Sequence, residues 1–274
     1  MTASRAGRAV VALAAIAGVA ASAAPVPEPR YGLPRDVSAD GFRIDELIHF
    51  TLGAITVIFV VVAAALIWSF VKHRGGPALY SHGTRSSIGV VIGSVALVLF
   101  GVDGNLFLHT LSDMHNYFWN FQRAEAAEGA VRIEVSAHQW SWNARYAGAD
   151  GKFGTPDDVV TMDDIRIPVG VPIIMHLAST DVIHSMYLPN FRVKQDAVPG
   201  MITRLTFQAK VPGEYEIACA QHCGANHYKM RAVLTVLAAE GFRQWLAEAG
   251  EDALRAYDPQ DQEAHWGWDW RMQP

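Results

Sequence analysis

Cysteine is nearly absent from this chain: 274 residues contain two, Cys219 and Cys223. So few thiols exclude a disulfide framework as the source of stability and leave either one bridge or one shared pair of ligands. The motif Cys-x-x-Cys-His is missing, which excludes an attached c-type haem. There is no basic excess either, because 22 Lys and Arg stand against 27 Asp and Glu for a formal charge of −5. That balance argues against nucleic acid as a partner and for a basic protein. Internal repeats and low-complexity tracts are lacking as well.

Charge disappears altogether over two stretches. Residues 47–71 hold 25 positions without Asp, Glu, Lys or Arg, enough to cross ~30 Å of hydrocarbon as a helix. Residues 86–102 hold 17 more, and the apolar pattern continues through Asp103 to Phe107 and Leu108. Two transmembrane helices are expected, with Asp103 near the outer headgroups or against a partner. Lys72, Arg74 and Arg85 lie between them without an acid, which turns that loop to the cytoplasm. Arg5 and Arg8 precede an apolar stretch at 10–19 and the small residues Ala21-Ser-Ala23, the pattern of a signal peptide over 1–23. The expected organisation is then an outer arm over 24–45, a helix hairpin over 46–112, a connector over 113–130, an outer domain over 131–238, and a helix and tail over 239–274.

The outer domain reads as short strands separated by Gly and Pro turns, as in a β-sandwich. Residues 131–135 alternate apolar and polar side chains, and 230–237 supply a closing strand. The acidic turn 150–158 lacks the spaced oxygens of an EF-hand and reads as a surface turn. His176, on an apolar run, reads as a core or interface histidine.

What the chain does have is a concentrated donor set: Cys219, Cys223, His227 and Met230 fall within twelve residues, and His184 follows an apolar run at 171–178. Thiolate, imidazole and thioether are soft or borderline ligands that favour copper over magnesium or calcium. A ligand loop closed by one earlier histidine is how cupredoxin-type sandwiches assemble copper. Single-copper sites use one cysteine; with two, both sulfurs can bridge two ions, leaving one histidine to each and Met230 as a weak extra ligand. A disulfide and a Cys₂His₂ zinc site compete with this reading, although neither accounts for Met230.

Four segments together carry a resemblance: His138-Gln-Trp-Ser-Trp142, Asp181-Val-Ile-His184-Ser, Lys194-Gln-Asp-Ala-Val-Pro-Gly200, and Gly213-Glu-Tyr-Glu-Ile-Ala-Cys219 through Met230. In this order they resemble subunit II of the haem-copper cytochrome c oxidases. The resemblance implies an all-β cupredoxin-like sandwich preceded by a two-helix transmembrane hairpin, in the bacterial inner membrane with the copper domain outside. It implies a dinuclear copper centre, CuA, ligated by His184, Cys219, Cys223, His227, Met230 and the backbone carbonyl of Gln221. Trp140 takes the place where electrons enter from cytochrome c, and haem in subunit I receives them for oxygen reduction coupled to proton pumping. The implied partners are cytochrome c, subunit I, other oxidase subunits and membrane lipid. His222 lines the site without being a ligand.

Two departures stand out. Where the family often has a glutamate between the cysteines, this chain has Gln221, so an interface magnesium ion loses that carboxylate. In the opening turn of the second helix the family often carries a glutamate for proton uptake, whereas residues 82–87 have none and Ser87 occupies about that place. A copper-free quinol oxidase subunit II conflicts with the complete donor set, a copper-delivery protein with Trp140 and the 194–200 motif, and a nitrous-oxide reductase with the chain's length. Asp150, Asp157, Asp158, Asp163, Asp164, Asp181 and Asp196 are candidates for steering a basic redox partner.

Overall fold

A computed structural model describes residues 31–77, 82–258 and 260. The signal segment and Trp266, Trp268 and Trp270 lie outside these residues. Helix α1, Gly41–His73, is 33 residues long, about 50 Å at the helical rise. The second helix opens at Thr84, whose hydroxyl accepts the Ser87 N–H while the Ser87 hydroxyl accepts the Thr84 N–H, a reciprocal cap. Ser87 therefore has a structural task in opening this helix. Both helices are long and apolar enough to cross a membrane, and their apolar side chains stand exposed.

The second helix continues past residue 112, the expected end of the hairpin. It runs as α2, Arg85–Ala96, a π-helical stretch Leu97–Asp103, α3, Gly104–Asp113, and a second π-helical stretch Met114–Phe118. No proline interrupts this run, and its polar residues beyond Leu108 suit an exposed helix. Asp103 consequently sits inside the helix rather than at its end, exposed and without an ion-pair partner among the described residues. A short helix α4, Phe121–Glu125, leads into the outer domain.

That domain is two five-stranded sheets packed face to face. The first has the order β3 (Val159–Met162), β2 (Ser141–Tyr146), β1 (Val131–His138), β5 (Pro172–Ser179), β8 (Thr203–Gln208). The second has the order β4 (Asp164–Pro168), β10 (Arg231–Leu237), β9 (Gly213–Cys219), β6 (His184–Leu188), β7 (Val193–Ala197). The β1–β5 and β10–β4 pairs are parallel and the others antiparallel. The sandwich after two apolar helices is the architecture anticipated. Between the sheets, period-two alternation delivers Ile133, Val135, Trp142, Ile165, Ile167, Met186, Ile217 and Leu234 to a core closed to solvent. Helix α5, Ala239–Ala256, covers one end, with Phe242 buried and Trp245 edge-on to Tyr146 at 5.2 Å.

The outer face of the first sheet is also covered, and by charge. Arg145, Glu134, His176 and Arg204 stand opposite one another on successive strands. Arg145 donates to Glu134 Oε2 at 2.5 and 2.9 Å and lies 3.7 Å from Asp158. Burial raises the pKa of Glu134 against the pull of Arg145. His176 is buried too, and burial together with Arg132 and Arg204 lowers its pKa. The 150–158 turn closes over this row, its carboxylates occupied by backbone N–H groups and the Thr155 hydroxyl.

The arm before α1 fastens the domain to the helices. Val37 exchanges backbone hydrogen bonds with Asn190 and Lys210. Arg192 grips Asp45 with two bonds of 2.6 and 3.0 Å, and Arg43 reaches Asp113 at 3.2 Å. Truncating Arg145 leaves Glu134 and Asp158 as buried charges without their cation, so Arg145→Ala is expected to cost the outer domain about 3 kcal/mol. Urea unfolding measures it, and a loss within error of zero would refute the charged row as a stabilising feature.

Candidate metal centre

The site forms where the two sheets' ends meet the loop between β9 and β10. Antiparallel pairing sets Met186 opposite Cys219, and His184, two residues before Met186, shares its face. Ala220 N–H donates to Ser185 O at 2.9 Å and Cys219 N–H to Met230 O at 3.1 Å. The loop is thereby pinned at its start and finish. A single 3₁₀ turn, His227–Lys229, then turns His227 back toward the cysteines.

The six donors named from the sequence come together. Cys219 Sγ and Cys223 Sγ are 3.7 Å apart, and both cysteines are free. His227 Nδ1 lies 3.5 Å from Cys223 Sγ, and His184 Nδ1 lies 4.0 Å from Cys219 Sγ. Met230 Sδ is 3.1 Å from His184 Nδ1 and 3.7 Å from Cys223 Sγ, while Gln221 O is 3.2 Å from Cys219 Sγ. With bonds of about 2.0–2.3 Å from N or S to a borderline metal ion, donors sharing one ion stand no more than ~4.6 Å apart. Every separation here meets that limit. Each histidine offers Nδ1 to a sulfur, one per thiol, and the donors outnumber the four places of a structural zinc ion.

Around this set lies a supporting shell. His184 is fully buried, and its Nε2 meets Asp181 Oδ1 at 2.8 Å. Asp181 is held by the Ser179 hydroxyl and by the N–H groups of Gln139 and Val182. A carboxylate behind a ligating imidazole fixes its tautomer and orientation. Trp142 stands edge-on to the His184 ring at 6.0 Å, and His222 edge-on to His227 at 5.5 Å. Trp140, half-buried, donates its indole N–H to Cys223 O at 3.2 Å.

Residues 112–237 match the family model described as cytochrome c oxidase subunit II, periplasmic domain. Over these residues the chain is similar to cytochrome c oxidase subunit II. It is 29% identical over 235 residues to the alternative cytochrome c oxidase subunit 2 of Bradyrhizobium diazoefficiens, covering 75% of this chain and 79% of that one. Cytochrome c oxidase subunit 2 of Cereibacter sphaeroides is 27% identical over 237 residues, 75% of each chain. Among solved structures, the periplasmic domain of the oxidase subunit II of Bradyrhizobium japonicum covers 44% of this chain and 94% of its own, at 24% identity and a TM-score of 0.40.

In this domain two residues outside the anticipated set take part. Asp181, considered for partner steering, instead backs His184; its place three residues before the histidine in one turn is the signal that could have found it. Gln139, beside Trp140, reaches Cys223 O with its side chain at 2.8 Å. Other acids considered for steering are engaged as well: Asp163 accepts from Trp142 N–H, Asp164 pairs with Arg166, and Asp196 with Ser185 and Lys194.

Electrostatics splits the two thiols. Burial opposes ionisation of Cys219, but the hydrogen bonds from His184 and from the Ser185 and Gln221 backbone outweigh it and lower its pKa. Burial and the neighbouring Cys219 both raise that of Cys223. For His184 burial is outweighed by Cys219 and Asp181, which raise its pKa. Without metal the pair gives up one proton readily and keeps the second, so metal binding must displace the Cys223 proton and tightens as pH rises. In the metal-free chain at neutral pH, iodoacetamide is expected to label Cys219 well before Cys223. Equal labelling rates would contradict the split.

Proposed function

We propose that this chain is the electron-accepting subunit of a membrane-bound cytochrome c oxidase, holding a dinuclear copper centre outside the membrane. The observation that carries the proposal is the gathering of two free thiols with one imidazole Nδ1 each, the Met230 thioether and the Gln221 carbonyl. The donor set suits copper, and it is larger than one tetrahedral ion requires. Held by Cys219, Cys223, His184, His227, Met230 and the Gln221 carbonyl, two copper ions would supply a one-electron store.

The chain's own residues prepare that site in three ways. His184 and His227 present Nδ1 to different sulfurs of the pair, His184 to Cys219 and His227 to Cys223, one held by Asp181 and the other by the 3₁₀ turn. The buried flank of Cys223, Met230, Trp142 and Met186 limits access of water. Trp140, bonded to the carbonyl of Cys223, offers an aromatic edge between solvent and the sulfur pair. Cytochrome c is the proposed donor at Trp140, and haem in subunit I the proposed acceptor.

Partners follow from the same reading. The two apolar helices anchor the domain in the inner membrane as a multi-pass hairpin and face lipid and the other oxidase subunits. Gln221 leaves no carboxylate for an interface magnesium ion, and proton uptake uses a group other than Ser87, whose side chain caps the helix.

Two measurements test this reading. The purified chain loaded with copper is expected to hold two ions and to show hyperfine structure from one electron shared by two copper nuclei; one ion per chain, or a mononuclear spectrum, sinks the dinuclear assignment. Trp140→Phe is expected to slow reduction by cytochrome c about tenfold, equivalent to ~1.4 kcal/mol of barrier, with the copper spectrum unchanged. Unaltered kinetics would remove Trp140 from the electron path.

A further inference from the structure

Strand β1 ends at His138 and β2 begins at Ser141, and these two residues pair in register. Gln139 and Trp140 are therefore the whole tip of a two-residue hairpin. This tip belongs to the first sheet, whereas the ligand loop belongs to the second. The two sheets are joined here by three hydrogen bonds, and Gln139 makes two of them.

Its backbone N–H donates to Asp181 Oδ2 at 2.7 Å, on the carboxylate whose other oxygen holds His184. Its side-chain Nε2 donates to Cys223 O at 2.8 Å, the same carbonyl that accepts Trp140 Nε1 at 3.2 Å. One residue thus touches the support of one histidine and the backbone of one cysteine. The neighbouring chain is shaped to admit it. Gly224 has φ +115°, and a Cβ there would stand 2.8 Å from Gln139 Nε2 and 3.3 Å from the Trp140 ring. Only glycine leaves room for both donors at that carbonyl.

We propose that Gln139 is a positioning residue that holds the Trp140 edge against the Cys223 peptide and ties it to the Asp181–His184 pair, setting the contact through which electrons reach the sulfur pair. This deepens the electron-port reading and rests on it. Two N–H groups converging on one carbonyl fix its direction more tightly than either alone, and Gln139 touches no donor atom of the metal set. Its loss should loosen the Trp140 contact while leaving the ligands in place. The lost hydrogen bond is worth about 1 kcal/mol, a factor of ~5 in the population of the detached tip.

The test uses Gln139→Glu in the full-length chain, because glutamate keeps the size of the side chain but, ionised, has no N–H and repels a carbonyl. A second variant, Gln139→Ala, removes the contact without adding charge. In the metal-free chain, hydrogen exchange over residues 219–230 is expected to speed about fivefold in both. In the copper-loaded chain, reduction by cytochrome c is expected to slow about fivefold with copper content unchanged. Wild-type exchange and wild-type reduction rates in both variants would overturn the proposal, and so would loss of copper, which would make Gln139 a support of the metal rather than of Trp140. If the wild-type chain itself fails to bind two coppers, the electron-port reading falls, while the exchange measurement still decides whether Gln139 holds the hairpin tip to the loop.

Discussion

The registration of β6 against β9 is the constraint on which the rest depends. With Met186 opposite Cys219, His184 and Cys219 project to the same side and the loop that follows must close over them. A slip of one residue would send His184 to the other face. The slip is resisted because Met186 and Leu188 are fully buried on the inner face and would exchange places with Tyr187 and Ser185. The same apolar packing that holds the sandwich together therefore sets the positions of the donors. The Ala220 N–H donating to Ser185 O and the Cys219 N–H donating to Met230 O confine the loop at both ends.

A second constraint orients the domain. The arm before α1 inserts Val37 into the core and adds backbone bonds at the sheet edge, while Arg192 of the domain grips Asp45 on α1 and Arg43 of α1 ties that helix to the second one at Asp113. These links are short and partly buried, so the contacts are worth more than exposed ion pairs. The sandwich is thus held against the outer ends of the helices rather than tethered by a loose linker. The second π-helical stretch, Met114–Phe118, lies at this junction, between Asp113 and the short helix α4.

Much of the architecture was legible beforehand, for local reasons. A run of 25 uncharged residues can only be accommodated by burial or by lipid, and alternation over 131–135 has the period of a strand. The donor cluster from Cys219 to Met230 was visible because all but one member lie within one loop. Less visible were the true length of the second helix, which polar residues after Leu108 disguise, and the engagement of the acids. Asp163, Asp181 and Asp196 look like free surface charge in the sequence, yet each bonds a residue distant or hidden in the fold. Nor does anything in the sequence mark Arg145, Glu134 and His176 as one row, because they come from three strands.

The sequence by itself determined the chemistry on offer: two thiols, imidazoles, a thioether and an aromatic residue outside two apolar helices. Side-chain type and hydrophobic period are local properties, and these follow from them. Tertiary structure alone decided the arrangement, including which nitrogen of each histidine faces a sulfur, which carboxylate backs His184, and how Gln139 and Trp140 meet Cys223. The contacts of Gln139 and Trp140 with Cys223 join residues more than eighty positions apart, across two sheets. They exist because burying the inner faces of both sheets forces the hairpin tip and the ligand loop to one end of the sandwich.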